Sequence, residues 1–115
     1  MKDRKPKISD DPMYLLIRNE DKDEFNHRRA KGEECNFSGL DFRGLDIRGF
    51  NLENINFSNS YFRMANLSGL DLRSCNLEGA SIFNADISGT FFSTDLHPEE
   101  IKLSVEFGTC MRNKM

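Results

Sequence analysis

With 37% hydrophobic and 30% charged side chains in 115 residues, this chain is too polar for the broad layered core of an ordinary domain. A formal net charge of -3 is too small to dictate a nucleic-acid or membrane partner. No apolar run approaches the ~18 residues of a membrane helix. No signal-type apolar stretch follows the basic N-terminus, so a cytoplasmic protein without membrane contact is expected.

Residues 1–34 carry nine acidic and nine basic side chains. Residues 1–10 read as a disordered tail. Asp11-Pro12 is an N-cap followed by proline at the first helical position. Tyr14, Leu15, Leu16 and Ile17 give the short helix behind it an apolar surface. Asp21-Lys22-Asp23-Glu24 has the form of a capping box with Asp as N-cap. It opens a second short helix that carries Phe25 and ends by Gly32, with Glu24 and Arg28 one turn apart.

Residues 35–94 are a different material. In fives they read CNFSG LDFRG LDIRG FNLEN INFSN SYFRM ANLSG LDLRS CNLEG ASIFN ADISG TFFST. Every block is centred on Phe, Leu or Ile, from Phe37 through Phe92. Chance agreement of that kind is far below roughly one in a million, so the segment is an internal repeat of period five. On an α-helix a period of five advances ~140° per repeat and scatters the anchors. On a straight strand an odd period sends successive anchors to opposite faces. The chain must therefore turn once per repeat. Nine of the twelve last positions are Gly or Asn, which tolerate tight-turn backbone angles. Two residues before the anchors, Leu40, Leu45, Phe50, Ile55, Ala65, Leu70, Ala80 and Ala85 also point inward. The intervening Asn or Asp and the residue after each anchor face outward.

Residues 95–115 return to helix signals. His97-Pro98-Glu99-Glu100 supplies a cap, proline at N1 and two acids in the first turn. Ile101, Leu103, Val105 and Phe107 are spaced by two, which is not clean helical periodicity. Gly108 ends the helix, and the last residues fray.

Ala65-Asn66-Leu67-Ser68-Gly69 and Ala85-Asp86-Ile87-Ser88-Gly89 resemble the pentapeptide-repeat family. The resemblance covers 60 of 115 residues. It implies an all-β solenoid, a right-handed quadrilateral β-helix with four repeats per coil. Twelve repeats make about three coils, ~14 Å tall at the ~4.8 Å strand spacing. The segment from Glu24 to Glu33 also resembles a lead-in of some short bacterial members. Residues 20 apart then stack, as in Phe37/Phe57/Leu77, and Asn36, Asn56 and Asn76 line up as a possible amide ladder. So short a stack needs caps on its open edges. The expected division is 1–34 for a charged tail and N-terminal capping helices, 35–94 for the β-helix, and 95–115 for a C-terminal capping helix and tail.

Some relatives are known as DNA mimics that bind type II topoisomerases. Here the repeats hold six acids against four arginines, a weak bias for a phosphate mimic. Asp41, Asp46, Asn51, Asp71 and Asp86 read instead as turn residues bonding nearby backbone. The arginines read as solvated and locally paired. DNA binding and inhibition of DNA gyrase are not expected. Tyr61 and Phe83 occupy outward positions, with Arg43, Arg63 and Met64 around them. That composition suits a protein-interaction face, or one covered by a terminal segment. Phe91 also points outward, and the C-terminal segment is expected to cover it.

Cys35, Cys75 and Cys110 form no CxxC and read as reduced, buried thiols. Cys35 and Cys75 share an inward column two coil steps, ~9.6 Å, apart, too far for a disulfide. His27 and His97 are poorly placed for a metal, and no nucleophile–base group or phosphate loop can be assembled. The expectation is a non-enzymatic protein-interaction module, without cofactor, metal or small-molecule substrate, whose partner is another protein or a second copy. A topoisomerase-binding mimic and a purely structural repeat domain are the alternatives.

Overall fold

The structure, a computed structural model, describes residues 5–114. Three helices flank the repeats: α1 (Pro12–Arg18), α2 (Lys22–Ala30) and α3 (Pro98–Phe107). The Asp11 carboxylate accepts from the Met13 and Tyr14 N–H groups and starts α1. Asp21 caps α2 through the Glu24 N–H, while the Glu24 side chain pairs with Arg28 instead of closing a capping box. His97 holds the N-cap place of α3 without a side-chain cap bond, and Gly108 ends it at φ 76°.

Between the helices the chain returns to itself every twenty residues. Parallel bridges join Asn36 to Asn56 and Asn76, Asp41 to Tyr61 and Ser81, Asp46 to Asn66 and Asp86, and Asp71 to Phe91. Four repeats therefore make one coil. We number its sides so that the first starts at residues 35, 55 and 75, and the second, third and fourth follow at steps of five. The bridges are isolated and do not grow into continuous strands among the described residues. The repeat explains this: most of its five residues go into the turn, which leaves one position free to bridge.

Seven of the twelve turns are built twice over. The anchor carbonyl accepts from the N–H three residues on, as in Phe42 O to Leu45 N at 3.3 Å. The Asn or Asp before the anchor accepts from the N–H two residues on; Asn36, Asn56 and Asn76 bond to Ser38, Ser58 and Glu78 in this way. These carboxamide oxygens serve the turns, and the prospective ladder is replaced by a column of local bonds. Ten of the twelve last positions have φ between 55° and 82°. Gly79 illustrates a second need for glycine, because a Cβ there would fall 2.0 Å from Asn59 Oδ1.

The lumen is filled by the anchors. Phe42 and Phe62 stack at 5.0 Å, and Phe57 meets Phe62 edge-on at 5.1 Å. The upper lumen is aliphatic, with Leu67, Leu72, Leu77 and Ile82 buried. Ile87 and Phe92, the last two anchors, are only half-buried.

The N-terminal end is closed by α1, α2 and the tail. Tyr14 packs edge-on to Phe42 at 5.3 Å, and Phe25 to Phe50 at 5.3 Å. Tyr14 Oη and Arg18 donate to Asp41 O, Asn26 bonds the backbone of Gly49 and Asn51, and Arg29 donates to the carbonyls of Asn51 and Glu53. The expectation of a free tail is corrected over residues 5–10. Lys7 runs parallel beneath the first coil, bonding Gly39 O and Asp41 N, because that coil edge has unpaired groups to satisfy. Residues 1–4 of that tail and residue 115 of the fraying end lie outside the described residues.

At the other end α3 crosses onto the second side. Ser104 Oγ accepts from Ile82 N, Val105 O from Asn84 N, and Met111 bonds Gly79 N and Ala80 O. Leu96 pairs antiparallel with Asn113. The thiols also need correcting: Cys75 is buried, Cys35 half-buried and Cys110 exposed, all three free. Cys110 lies beyond the repeats, where no inward position holds it. Burial pushes the Cys75 thiol up to about 11.

Candidate interaction face

Nine repeats carry Asn or Asp before the anchor, and three do not: Tyr61, Ser81 and Phe91 stand there instead. Two of the three lie on the second side, and there the surface changes character. Where an Asp is followed two residues later by an Arg, on the second, third and fourth sides, the pair closes on itself. Arg48 donates to both oxygens of Asp46 at 2.9 and 2.8 Å, and Arg73 to both of Asp71 at the same distances. The arginine hydrogen bonds hold both carboxylates down at about 2. Asp41 and Arg43 form the same pair. Burial raises the Asp41 carboxyl, and the side-chain and backbone bonds from Arg43 outweigh it, so the net shift is downward.

Arg63 has Tyr61 where the others have Asp. Its guanidinium lies over the Tyr61 ring, 4.3 Å from the centroid. Its Nε donates to Ser81 Oγ at 3.1 Å and an Nη to Gly108 O at 3.3 Å. Ser81 Oγ donates to the same carbonyl at 3.1 Å. The α3 C-cap is thus tied onto the second side, and its Gly108 Cα borders the half-buried Phe83. Met64 N donates to Phe83 O at 2.8 Å, and Gly44 N to Arg63 O at 2.9 Å, so Arg43, Arg63 and Phe83 occupy successive levels of one column. Met64 stands at the corner with φ 61° and 61% of its surface exposed, the only last position in this conformation that is neither Gly nor Asn.

The five residues Arg43, Tyr61, Arg63, Met64 and Phe83 therefore share one side, with the C-terminal turn covering its upper part. Phe91 is a correction. The C-terminal segment turns over the second side and leaves Phe91 56% exposed, with the Arg73 guanidinium 5.1 Å from its ring centre.

On the fourth side, Asn51 and Asp71 form no bridge. An open cleft of about 610 Å³ lies there, lined by Leu52, Glu53, Asp71 and Arg73 among others. Among the described residues, no group of three or more His, Cys, Asp and Glu is placed to hold a metal ion, and no helix is long and apolar enough to cross a membrane.

A coil of stacked five-residue units defines the class of protein. The family model for pentapeptide repeats matches eight copies over residues 35–73 and 60–94, and the chain belongs to that family. No curated protein and no solved structure matches it.

Proposed function

We propose that this is a non-enzymatic protein-interaction module of a bacterial cytosol, built on a right-handed quadrilateral β-helix of three coils. Bridges spaced by twenty residues support the quadrilateral reading, and three free thiols fit a reducing compartment. The observation that carries the function is the second side. Tyr61 packs against Arg63, the one arginine of the repeats without an Asp two residues before it, with the exposed Met64 beside it and Arg43, paired with Asp41, one level below. Tyr, Arg and Met on a rigid scaffold are the side chains that dominate binding hot spots. Topoisomerase mimicry finds less support, since Asp41, Asp46 and Asp71 are each neutralised by their own arginine and make no free acidic stripe. The test is quantitative affinity capture from the native host. Wild type and Arg73→Ala are expected to retain the same partner, and Tyr61→Ala with Arg43→Ala to lose it. Equal recovery by all three proteins removes this face from consideration.

A further inference from the structure

One seam between neighbouring coils is open. Elsewhere the first coil meets the second through paired backbone bonds. Phe42 N donates to Tyr61 O and Tyr61 N to Leu40 O on the second side, and Ile47 N to Asn66 O and Asn66 N to Leu45 O on the third. The fourth side makes the same pairing one coil higher, where Leu72 N donates to Phe91 O and Phe91 N to Leu70 O. Between residues 50–54 and 70–74 there is no backbone bond. Leu52 N, Asp71 N, Phe50 O and Asp71 O, the groups that this pairing would join, have no hydrogen-bond partner among the described residues.

Two causes act from opposite directions. From below, α2 holds residues 49–53. Asn26 donates to Gly49 O and accepts from Asn51 N, and Arg29 donates to Asn51 O and Glu53 O. From above, the Arg73–Ser74 turn has a different form. In the regular turns the last residue takes positive φ, and the carbonyl before it accepts from the coil beneath, as Arg63 O does from Gly44 N and Glu78 O from Asn59 N. Ser74 does not take positive φ, so the Arg73–Ser74 peptide is turned over relative to those turns. Asn54 N then donates to Ser74 Oγ at 2.9 Å and not to Arg73 O.

The opening is the cleft of about 610 Å³, a size usual for a ligand site. The buried side chains of Phe50, Leu52 and Leu70 line it. Bonds on the third side and, through Asn76 N and Ile55 O, on the first side close it at both ends, so a whole strand has no room to insert. A single extended side chain does. The polar groups select a cation. Phe50 O and Asp71 O are free acceptors, and the exposed Glu53 carboxylate enters no ion pair among the described residues. The cleft next to it, across Ser74, adds Glu78 and Asp95. Arg73 is the only cation lining either cleft, and its charge is taken up by Asp71. Arg29 shows that this stretch of backbone takes a guanidinium, since it binds two of its carbonyls from beneath.

We infer that the fourth-side cleft receives an arginine or lysine side chain of a partner protein. Its aliphatic stem lies on Leu52 and Leu70, and its charged head is shared by Phe50 O, Asp71 O and the Glu53 carboxylate. The cleft is on the opposite side of the coil from Tyr61 and Arg63, so this contact is separate from the second-side face and stands without it.

Amide NMR of the full chain tests this, with acetyl-Gly-Gly-Arg-Gly-Gly-amide as the probe and its neutral isostere, citrulline in place of arginine, as the comparison. In the free protein the Leu52 and Asp71 amides should exchange freely with solvent, while the inter-coil bonded amides of Phe57 and Leu67 are protected. The arginine peptide should shift the Leu52 and Asp71 signals saturably, and the citrulline peptide should bind about tenfold more weakly. Glu53→Gln should weaken the arginine peptide about fivefold, and Asp46→Asn, the same loss of charge on the third side, by less than about twofold. Ser74→Gly permits the regular turn, so it should close the seam, protect the Leu52 amide and abolish binding. Protected Leu52 and Asp71 amides in the free protein, no shift at either, or equal binding of the two peptides overturns the inference. So does undiminished binding by Glu53→Gln or by Ser74→Gly.

Discussion

Phe57 sits at the centre of the lumen. It is fully buried, with ring centres of Phe37, Phe42 and Phe62 at 5.9, 5.5 and 5.1 Å. Phe57→Ala removes a ring from a narrow column whose walls are tied by inter-coil hydrogen bonds, so the coil can collapse only partly into the space. The expected loss is about 3–5 kcal/mol, the usual cost of a buried Phe→Ala change. A chain of 115 residues has an unfolding free energy of roughly 6–17 kcal/mol, so this is a large fraction of the total. The midpoint of thermal unfolding should fall by ~10–20 °C. Urea unfolding followed by circular dichroism measures the loss, with Ile8→Ala as the control. Ile8 is 59% exposed, and its truncation should change stability by no more than ~0.5 kcal/mol. A loss under ~1.5 kcal/mol for Phe57→Ala, or equal losses for the two variants, would refute the reasoning that the stacked anchors carry the fold.

Met64 holds φ 61° with little packing in return, so Met64→Gly should stabilise the protein by about 0.5–1 kcal/mol in the same urea assay; destabilisation would show that the Met64 side chain contributes more than its exposure indicates. Asp46 and Asp71, held at about 2, titrate below the ordinary Asp value, so the sign is that of a depressed carboxylate. Their contribution is present above pH ~4 and is lost as the pH falls toward 2, and it should be small because both pairs are exposed. Carboxyl-detected NMR titration should place both below pH 3, and values near 4 would mean that the bidentate pairs do not persist in solution. With a thiol reagent at pH 8, exposed Cys110 should react first and buried Cys75 only on unfolding, since its thiol is pushed up to about 11. Rapid labelling of Cys75 in the folded protein would contradict its place in the lumen.

Much of the fold was legible in the sequence because period five is incompatible with both a helix and a straight strand. Once the turn per repeat is accepted, residue type alone assigns the positions: anchors and the residues two before them go inward, Asn and Asp make the turns, Gly and Asn take positive φ. The capping signals at Asp11-Pro12, Asp21 and Pro98 were equally local and could be read directly. The composition of the second side could also be read, since Tyr61 and Phe83 break a polar rule. What lay beyond the sequence was decided by edges. A coil edge exposes backbone groups that any nearby segment can satisfy, and no residue pattern specifies which segment does so. Lys7 was therefore pulled out of an apparent tail to lie under Gly39 and Asp41. Arg63, lacking an aspartate partner, was free to reach Gly108 and bring the C-terminal turn over Phe83. The same choice of side left Phe91 uncovered and the last two anchors half-open, because a single short helix with its tail does not span all four sides of the coil.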